Sequence, residues 1–136
     1  MKILLIDDDA ALLTIFGTAL QKADFVVITA SDGASGLEKA KNDSFDLILI
    51  DQILPDMRGN DIVKTLKAQE KTKNTPLMIL SNFGQTELIQ EAMNLGAVEY
   101  VLKYQIEPAD LVAKVKEVLK EKTPTDMPEE PMVGQQ

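Results

Sequence analysis

The chain has 136 residues, 45% of them apolar, enough for one domain around a single core of ordinary size. Its formal net charge of -8 argues against sequence-independent nucleic-acid binding, which depends on Lys and Arg neutralising phosphates. With no cysteine and no histidine, it is barred from disulfides, thiolate nucleophiles, Ser-His and Cys-His pairs, and Cys-based zinc or iron-sulfur sites.

The first run, "KILLI" at 2–6, reads as a strand and ends abruptly in Asp7, Asp8 and Asp9. Leu12, Phe16, Ala19 and Leu20 then share one face of a first helix. A second strand, "FVVITA" at 25–30, precedes a weakly patterned second helix over roughly 34–42. The third pair is "DLILI" at 46–50 with Ile62, Val63 and Leu66 on one helical face, and the fourth is "PLMIL" at 76–80 with Leu88, Ile89 and Ala92. The fifth is "EYVL" at 99–102 with Leu111, Val112, Val115, Val118 and Leu119. Several strand runs are continuously apolar, as strands buried on both faces are. Strict alternation of five strands and five helices predicts an α/β fold: a three-layer (βα)5, doubly wound parallel sheet with helices on both sides. After Lys122 the sequence "TPTDMPEEPMVGQQ" loses its periodicity, so the organisation predicted is a domain over 1–122 and an acidic, Pro-rich disordered tail or linker over 123–136. The start is too short for a signal-peptide core and no run reaches bilayer length, so the reading is a soluble, unexported, cytoplasmic chain with no membrane insertion.

In an open parallel α/β sheet, ligands bind beyond the carboxyl ends of the strands. That edge collects Asp7 and Asp8 after the first strand, Asp51 after the third, Ser81 after the fourth and Lys103 after the fifth. An aspartate after a strand can be a mere turn residue or helix cap, but acids, a hydroxyl and an amine at four strand ends point to a hard-cation site of the magnesium type. A carboxylate beside such an ion, with an ammonium and a hydroxyl at hand, suits in-line phosphoryl transfer, in which the carboxylate can be the nucleophile. Asp51 is the best-placed acceptor. Asp9 needs no such role, because an acid at the start of the first helix suits that helix's N-terminus.

"LLIDDD", "DLILIDQILPDMRG" (Asp51 with Pro55 four and Gly59 eight residues on), "MILSN" and "GAVEYVLK" together resemble the signature of response-regulator receiver domains of two-component signalling, over roughly residues 2–121. The resemblance implies a flavodoxin-like strand order of 2-1-3-4-5. It implies that Asp51 accepts a phosphoryl group from a sensor histidine kinase or phosphotransfer protein. Asp8, Asp51 and the backbone carbonyl of Ile53 would bind Mg2+ directly, with Mn2+ as a substitute, and Asp7 mainly through water. Lys103 would pair first with Asp51 and then with the phosphoryl group, Ser81 would hydrogen-bond a phosphoryl oxygen, and Tyr100 would change rotamer in the space vacated. The bland alternatives are a surface lysine for Lys103 and a half-buried aromatic for Tyr100. Output would pass to a downstream protein through the fourth helix, fifth strand and fifth helix, with homodimerisation on phosphorylation as one form of it; no direct nucleic-acid contact is implied, since residues 123–136 are too few and too acidic for a helix-turn-helix.

Two departures carry information. Receivers usually follow the lysine with a cis-proline, but here Tyr104 follows Lys103, and a cis bond before a non-proline residue costs roughly 2.5 to 4 kcal/mol. An extra residue in "YQIEPADL" is expected to allow an all-trans loop and a last helix beginning near Pro108. The positions flanking the reacting group are Ile53 and Phe83, whose side chains cannot orient an attacking water, and Asn82 narrows the approach, so a long-lived phosphorylated form is expected. A magnesium-dependent phosphatase would need a second acid where Ile53 stands. A flavodoxin-like cofactor carrier would need backbone amides, not "DDDA", under its phosphate. The main alternative is a degenerate receiver acting as a phosphorylation-independent scaffold.

Overall fold

The computed structural model describes residues 1–122, so the predicted tail over 123–136 lies outside the described residues. Strands β1 (Lys2–Ile6), β2 (Val26–Ala30), β3 (Leu47–Asp51), β4 (Leu77–Ser81) and β5 (Glu99–Leu102) alternate with helices α1 (Ala10–Lys22), α2 (Gly33–Asn42), α3 (Gly59–Lys67), α4 (Thr86–Leu95) and α5 (Pro108–Lys122). All pairings are parallel and the sheet order is β2-β1-β3-β4-β5. The order in which successive strands are added reverses between β1 and β3, which puts the switch point beside Asp7 and Asp51.

The period-2 geometry of a strand explains the continuous apolar runs. Leu4, Ile6, Ile48, Ile50, Leu77 and Ile79 face one core with Ile62, Val63 and Leu66 of α3 and Ala92 of α4. Their neighbours Ile3, Leu5, Leu47, Leu49, Met78 and Leu80 face a second core with Phe16 and Leu20 of α1 and Leu111, Val115 and Leu119 of α5. The central strands therefore need apolar residues at every position. Edge strand β2 does not: Val26 is exposed, and only Ala30 of the strand is buried, so its apolar run overstates its burial.

Several strand boundaries shift by one residue: β2 begins at Val26, β3 spans Leu47–Asp51 and β4 spans Leu77–Ser81. Pro76 has no N–H to give to the ladder, so β4 begins at Leu77. Asp51 and Ser81 are the last paired residues of their strands, opposite Leu80 and Leu102, and not the first residues beyond them. This fixes both side chains more firmly than a loop would.

Asp9 caps α1, accepting from the amides of Ala11 and Leu12 at 3.0 and 3.2 Å. The weakly patterned α2 is held by its start: Asp32 accepts from Ser35 N at 2.7 Å, while both oxygens of Asp56, from the loop after β3, accept from Gly33 N and Ala34 N at 2.8 and 2.9 Å. α4 ends on Gly96 at φ +111°, whose amide returns to the carbonyls of Ala92 and Met93. Only Ala92 of α4 is fully buried, with Leu95 packed partly buried beside the same core.

After β5 the chain makes a single 3-10 turn, Lys103–Gln105, and α5 follows with Pro108 as its first residue. Among the described residues there are no cis peptide bonds. The longer loop thus replaces a proline-directed turn, and Pro108 loses nothing where its missing N–H would have had no helical partner.

Candidate functional site

Three strand ends meet around buried charge. Asp7 follows β1 and is fully buried, Asp51 closes β3 and is 5% exposed, and Lys103 follows β5. The Lys103 Nζ lies 2.7 Å from Asp7 Oδ2 and 3.2 Å from Asp51 Oδ1. The nearer partner is Asp7, whereas the resemblance put Asp51 first; both strands offer their carboxylate to the one ammonium. Asp8 is exposed, yet it supplies an oxygen to a group in which the ligand atoms of Asp7, Asp8 and Asp51 all lie within 4.8 Å of one another.

Burial is the main cause that raises the Asp51 pKa, from an ordinary 3.8 to about 6, and the neighbouring Asp7 charge adds to it. The Lys103 ammonium and the Ile53 amide pull the other way without cancelling the rise. For Lys103, burial disfavours the ammonium, but contact with Asp7 and the charges of Asp51 and Asp7 together hold its pKa above the ordinary value. Asp7 Oδ1 accepts from Asp9 N at 2.9 Å, while the buried Oδ2 has no aligned hydrogen bond and only the ion pair with Lys103. One ammonium thus serves two buried acids with a third at the rim. Three carboxylates against one ammonium, an all-oxygen donor set, fit a hard divalent cation better than any other addition.

Ser81 is fully buried and its Oγ accepts from Phe83 N at 2.9 Å. Tyr100 is half-buried and donates from its hydroxyl to the Phe83 carbonyl at 2.7 Å. The segment after β4 is therefore tied to Ser81 on one side and to Tyr100 on the other. Ile53 and Phe83 are 46% and 44% exposed, and Asn82 is exposed beside them. The Ile53 and Phe83 side chains themselves offer an approaching water no polar group, and the exposed polar side chains near them are Asn82 and Asp8.

Gly59 sets the loop that carries Ile53. A Cβ there would come within 2.6 Å of the Asp51 carbonyl oxygen and 3.0 Å of Gln52 Cα, both backbone atoms that cannot rotate away. Gly59 N donates to Gln52 O at 2.7 Å across the same approach. Gly59→Ala is expected to lower unfolding stability by about 1–3 kcal/mol, the range for overpacking a filled site, as read by urea denaturation. An unchanged midpoint would contradict the tight approach.

Residues 3–116 match the family model described as the response regulator receiver domain. The chain belongs to that family. Such domains are parts of two-component signalling systems. The transcriptional regulatory protein CusR of Escherichia coli is 33% identical over 120 residues, covering 88% of this chain and 52% of that protein. The alkaline phosphatase synthesis transcriptional regulatory protein PhoP of Bacillus subtilis is 34% identical over 119 residues, covering 88% and 48%. The chain thus spans about half the length of the curated relatives it matches. Among solved structures, a CheY-like receiver domain protein from Methanospirillum hungatei superposes with a TM-score of 0.86 at 30% identity, covering 91% of this chain and 97% of that one. The BeF3-activated receiver domain of RstA from Klebsiella pneumoniae gives 0.80 at 27% identity, covering 88% and 99%. Among the described residues of this receiver, no helix is long and apolar enough to cross a membrane.

The sequence reading missed a second polar group. Gln52, next to Asp51, and Asn60, in the first turn of α3, are both fully buried and exchange two 2.9 Å hydrogen bonds. The signal was available: Asn60 stands three residues before Val63, on the face of α3 that turns inward, where a polar residue demands a buried partner.

Proposed function

We propose that this receiver domain accepts a phosphoryl group on Asp51 from the phosphohistidine of a sensor histidine kinase or phosphotransfer protein, and that the new group alters its partner-binding surface. The observation that carries the reading is the buried Asp7–Lys103–Asp51 arrangement at the sheet's switch point. A carboxylate oxygen of Asp51 attacks phosphorus in line, the phosphorus–nitrogen bond of the donor breaks, and the histidine leaves as neutral imidazole once protonated. Asp7, Asp8, Asp51 and the carbonyl of Ile53 would hold magnesium, or manganese in its place, which neutralises charge on the moving phosphoryl oxygens.

Lys103 screens the acceptor from Asp7 before transfer and pairs with a phosphoryl oxygen afterwards, one ammonium serving both stages. Ser81 donates its hydroxyl to another phosphoryl oxygen, which draws the 82–84 segment inward and releases Tyr100 from Phe83. The change is then read on α4, β5 and α5 by a protein partner in the cytoplasm. This activity belongs to a phosphoacceptor and not to a turnover enzyme, and it resides in residues 1–122.

Incubation with acetyl phosphate and magnesium is expected to add one phosphoryl group by intact mass, and Asp51→Ala to abolish the adduct. With Ile53 and Phe83 at the rim, the purified adduct should persist; loss within seconds would contradict the proposed exclusion of water. A scaffold that works without phosphorylation would show no adduct at all, and continuous hydrolysis of acetyl phosphate would favour a phosphatase.

A further inference from the structure

α4 sets only Ala92 fully and Leu95 partly into the core, and polar contacts from α3 add to its hold. Those contacts converge on a chain that starts beside the acceptor. Gln52 Nε2 donates to Asn60 Oδ1 at 2.9 Å and lies 3.4 Å from the Tyr100 hydroxyl, while Asn60 N donates to Gln52 Oε1 at 2.9 Å. Asn60 Nδ2 in turn donates to Glu91 Oε1 at 2.9 Å and to the Leu88 carbonyl at 3.3 Å, both in α4. Arg58 clasps the two oxygens of Glu91 with NH1 and NH2, each at 3.2 Å, and NH2 also reaches Asp61 Oδ1 at 3.3 Å. The line therefore runs from the residue bonded to Asp51, through the start of α3, to α4, and through Tyr100 to β5.

We propose that Gln52, Asn60, Glu91 and Arg58 form a latch that holds α4 and Tyr100 in the arrangement seen here and opposes the change that loading Asp51 requires. This rests on the phosphoacceptor reading above. Tyr100 is bonded at its hydroxyl both to Phe83 and to Gln52, so drawing the Ser81–Phe83 segment inward breaks the first bond and strains the second. Because the amides of Gln52 and Asn60 are fully buried, neither can exchange its partner for water, and the displacement passes to α4 as a lost or remade bond to Glu91. Glu91 touches none of the reacting groups. It is a positioning residue, and linkage requires that weakening its bonds change affinity at Asp51 by the same amount that loading changes α4.

Beryllofluoride with magnesium, a phosphoryl mimic, is titrated by NMR into the parent protein and into Glu91→Ala, Glu91→Gln, Arg58→Ala and Asp51→Asn. Glu91 has a side chain 42% exposed, so its variants fold. Glu91→Ala is expected to bind the mimic about 3–10-fold more tightly, the factor for losing one or two charge-assisted bonds that favour the other conformer. Glu91→Gln, which keeps an oxygen for Asn60 Nδ2, is expected within about 2-fold of the parent, with Arg58→Ala between the two. Equal or weaker binding by Glu91→Ala overturns the latch, as does a Glu91→Gln shift as large as that of Glu91→Ala. A parent protein that binds the mimic no better than Asp51→Asn would instead overturn the phosphoacceptor reading on which the latch stands.

Discussion

Lys103→Ala is expected to unfold with about 3 kcal/mol less stability than the parent at pH 7 in magnesium-free buffer, and millimolar magnesium is expected to restore much of the loss. The Lys103 ammonium is the partner of two acids whose side chains are nearly closed to solvent. Removing one member of a buried ion pair costs about 3–5 kcal/mol, because the charge left behind is neither paired nor hydrated. Here two carboxylates are left, and the one at Asp51 can lessen the penalty by taking up a proton, which places the expectation at the lower end of that range. A divalent cation held by Asp7, Asp8 and Asp51 supplies the missing positive charge, so added magnesium stabilises the variant more than the parent. Urea midpoints with and without magnesium check this. Equal midpoints for variant and parent, or no difference in their response to magnesium, would contradict the role assigned to the lysine.

The second large effect has the opposite sign. Asp51→Asn is expected to stabilise the magnesium-free protein at pH 7 by about 2 kcal/mol, because folding raises the pKa of Asp51 from 3.8 to about 6 and each unit is about 1.4 kcal/mol before allowance for solvent screening. Below about pH 4 the folded and unfolded chains both carry the Asp51 proton, and the substitution changes little. Between pH 4 and pH 6 the unfolded chain releases the proton first, so the native state of the parent loses stability relative to the variant as pH rises. Above pH 6 the difference is full and constant. Thermal denaturation of both proteins from pH 4 to pH 8 should show the two curves separating over that window. Curves that run parallel from pH 4 upward would refute burial as the source of the raised pKa.

The site was legible wherever it depended only on knowing that a strand had ended. Asp7, Asp8, Asp51, Ser81 and Lys103 follow or close four apolar runs, and the parallel topology brings all such ends to one edge. Asp9 was legible as a cap because capping is a local backbone matter. What local pattern could not supply was register and partner choice. That Lys103, the first residue after β5, stands closer to Asp7 than to Asp51 is set by how three strand ends pack together, which no local pattern encodes. The strength of α2 also escaped notice, because Asp56, which caps its first amides, comes from 23 residues further along the chain. The Gln52–Asn60–Glu91 line was hidden for the same reason: its members lie in the loop after β3, on α3 and on α4, and only tertiary packing joins them.

In the proposed function a protein partner reads α4, where Ala92 is the one fully buried residue and polar bonds to Asn60 and Arg58 lead back to the residue after Asp51. Such an element has a low cost of local rearrangement, which suits a surface that must exist in two forms.

In the proposed function one carboxylate, that of Asp51, receives the phosphoryl group. The most direct measurement is to treat the protein with acetyl phosphate and magnesium, reduce the acyl phosphate with borohydride, and map the modified residue by peptide mass spectrometry. Homoserine is expected at position 51, with Asp7 and Asp8 unmodified. Homoserine at position 7 or 8, or none at 51 in a protein whose intact mass shows the adduct, would contradict it.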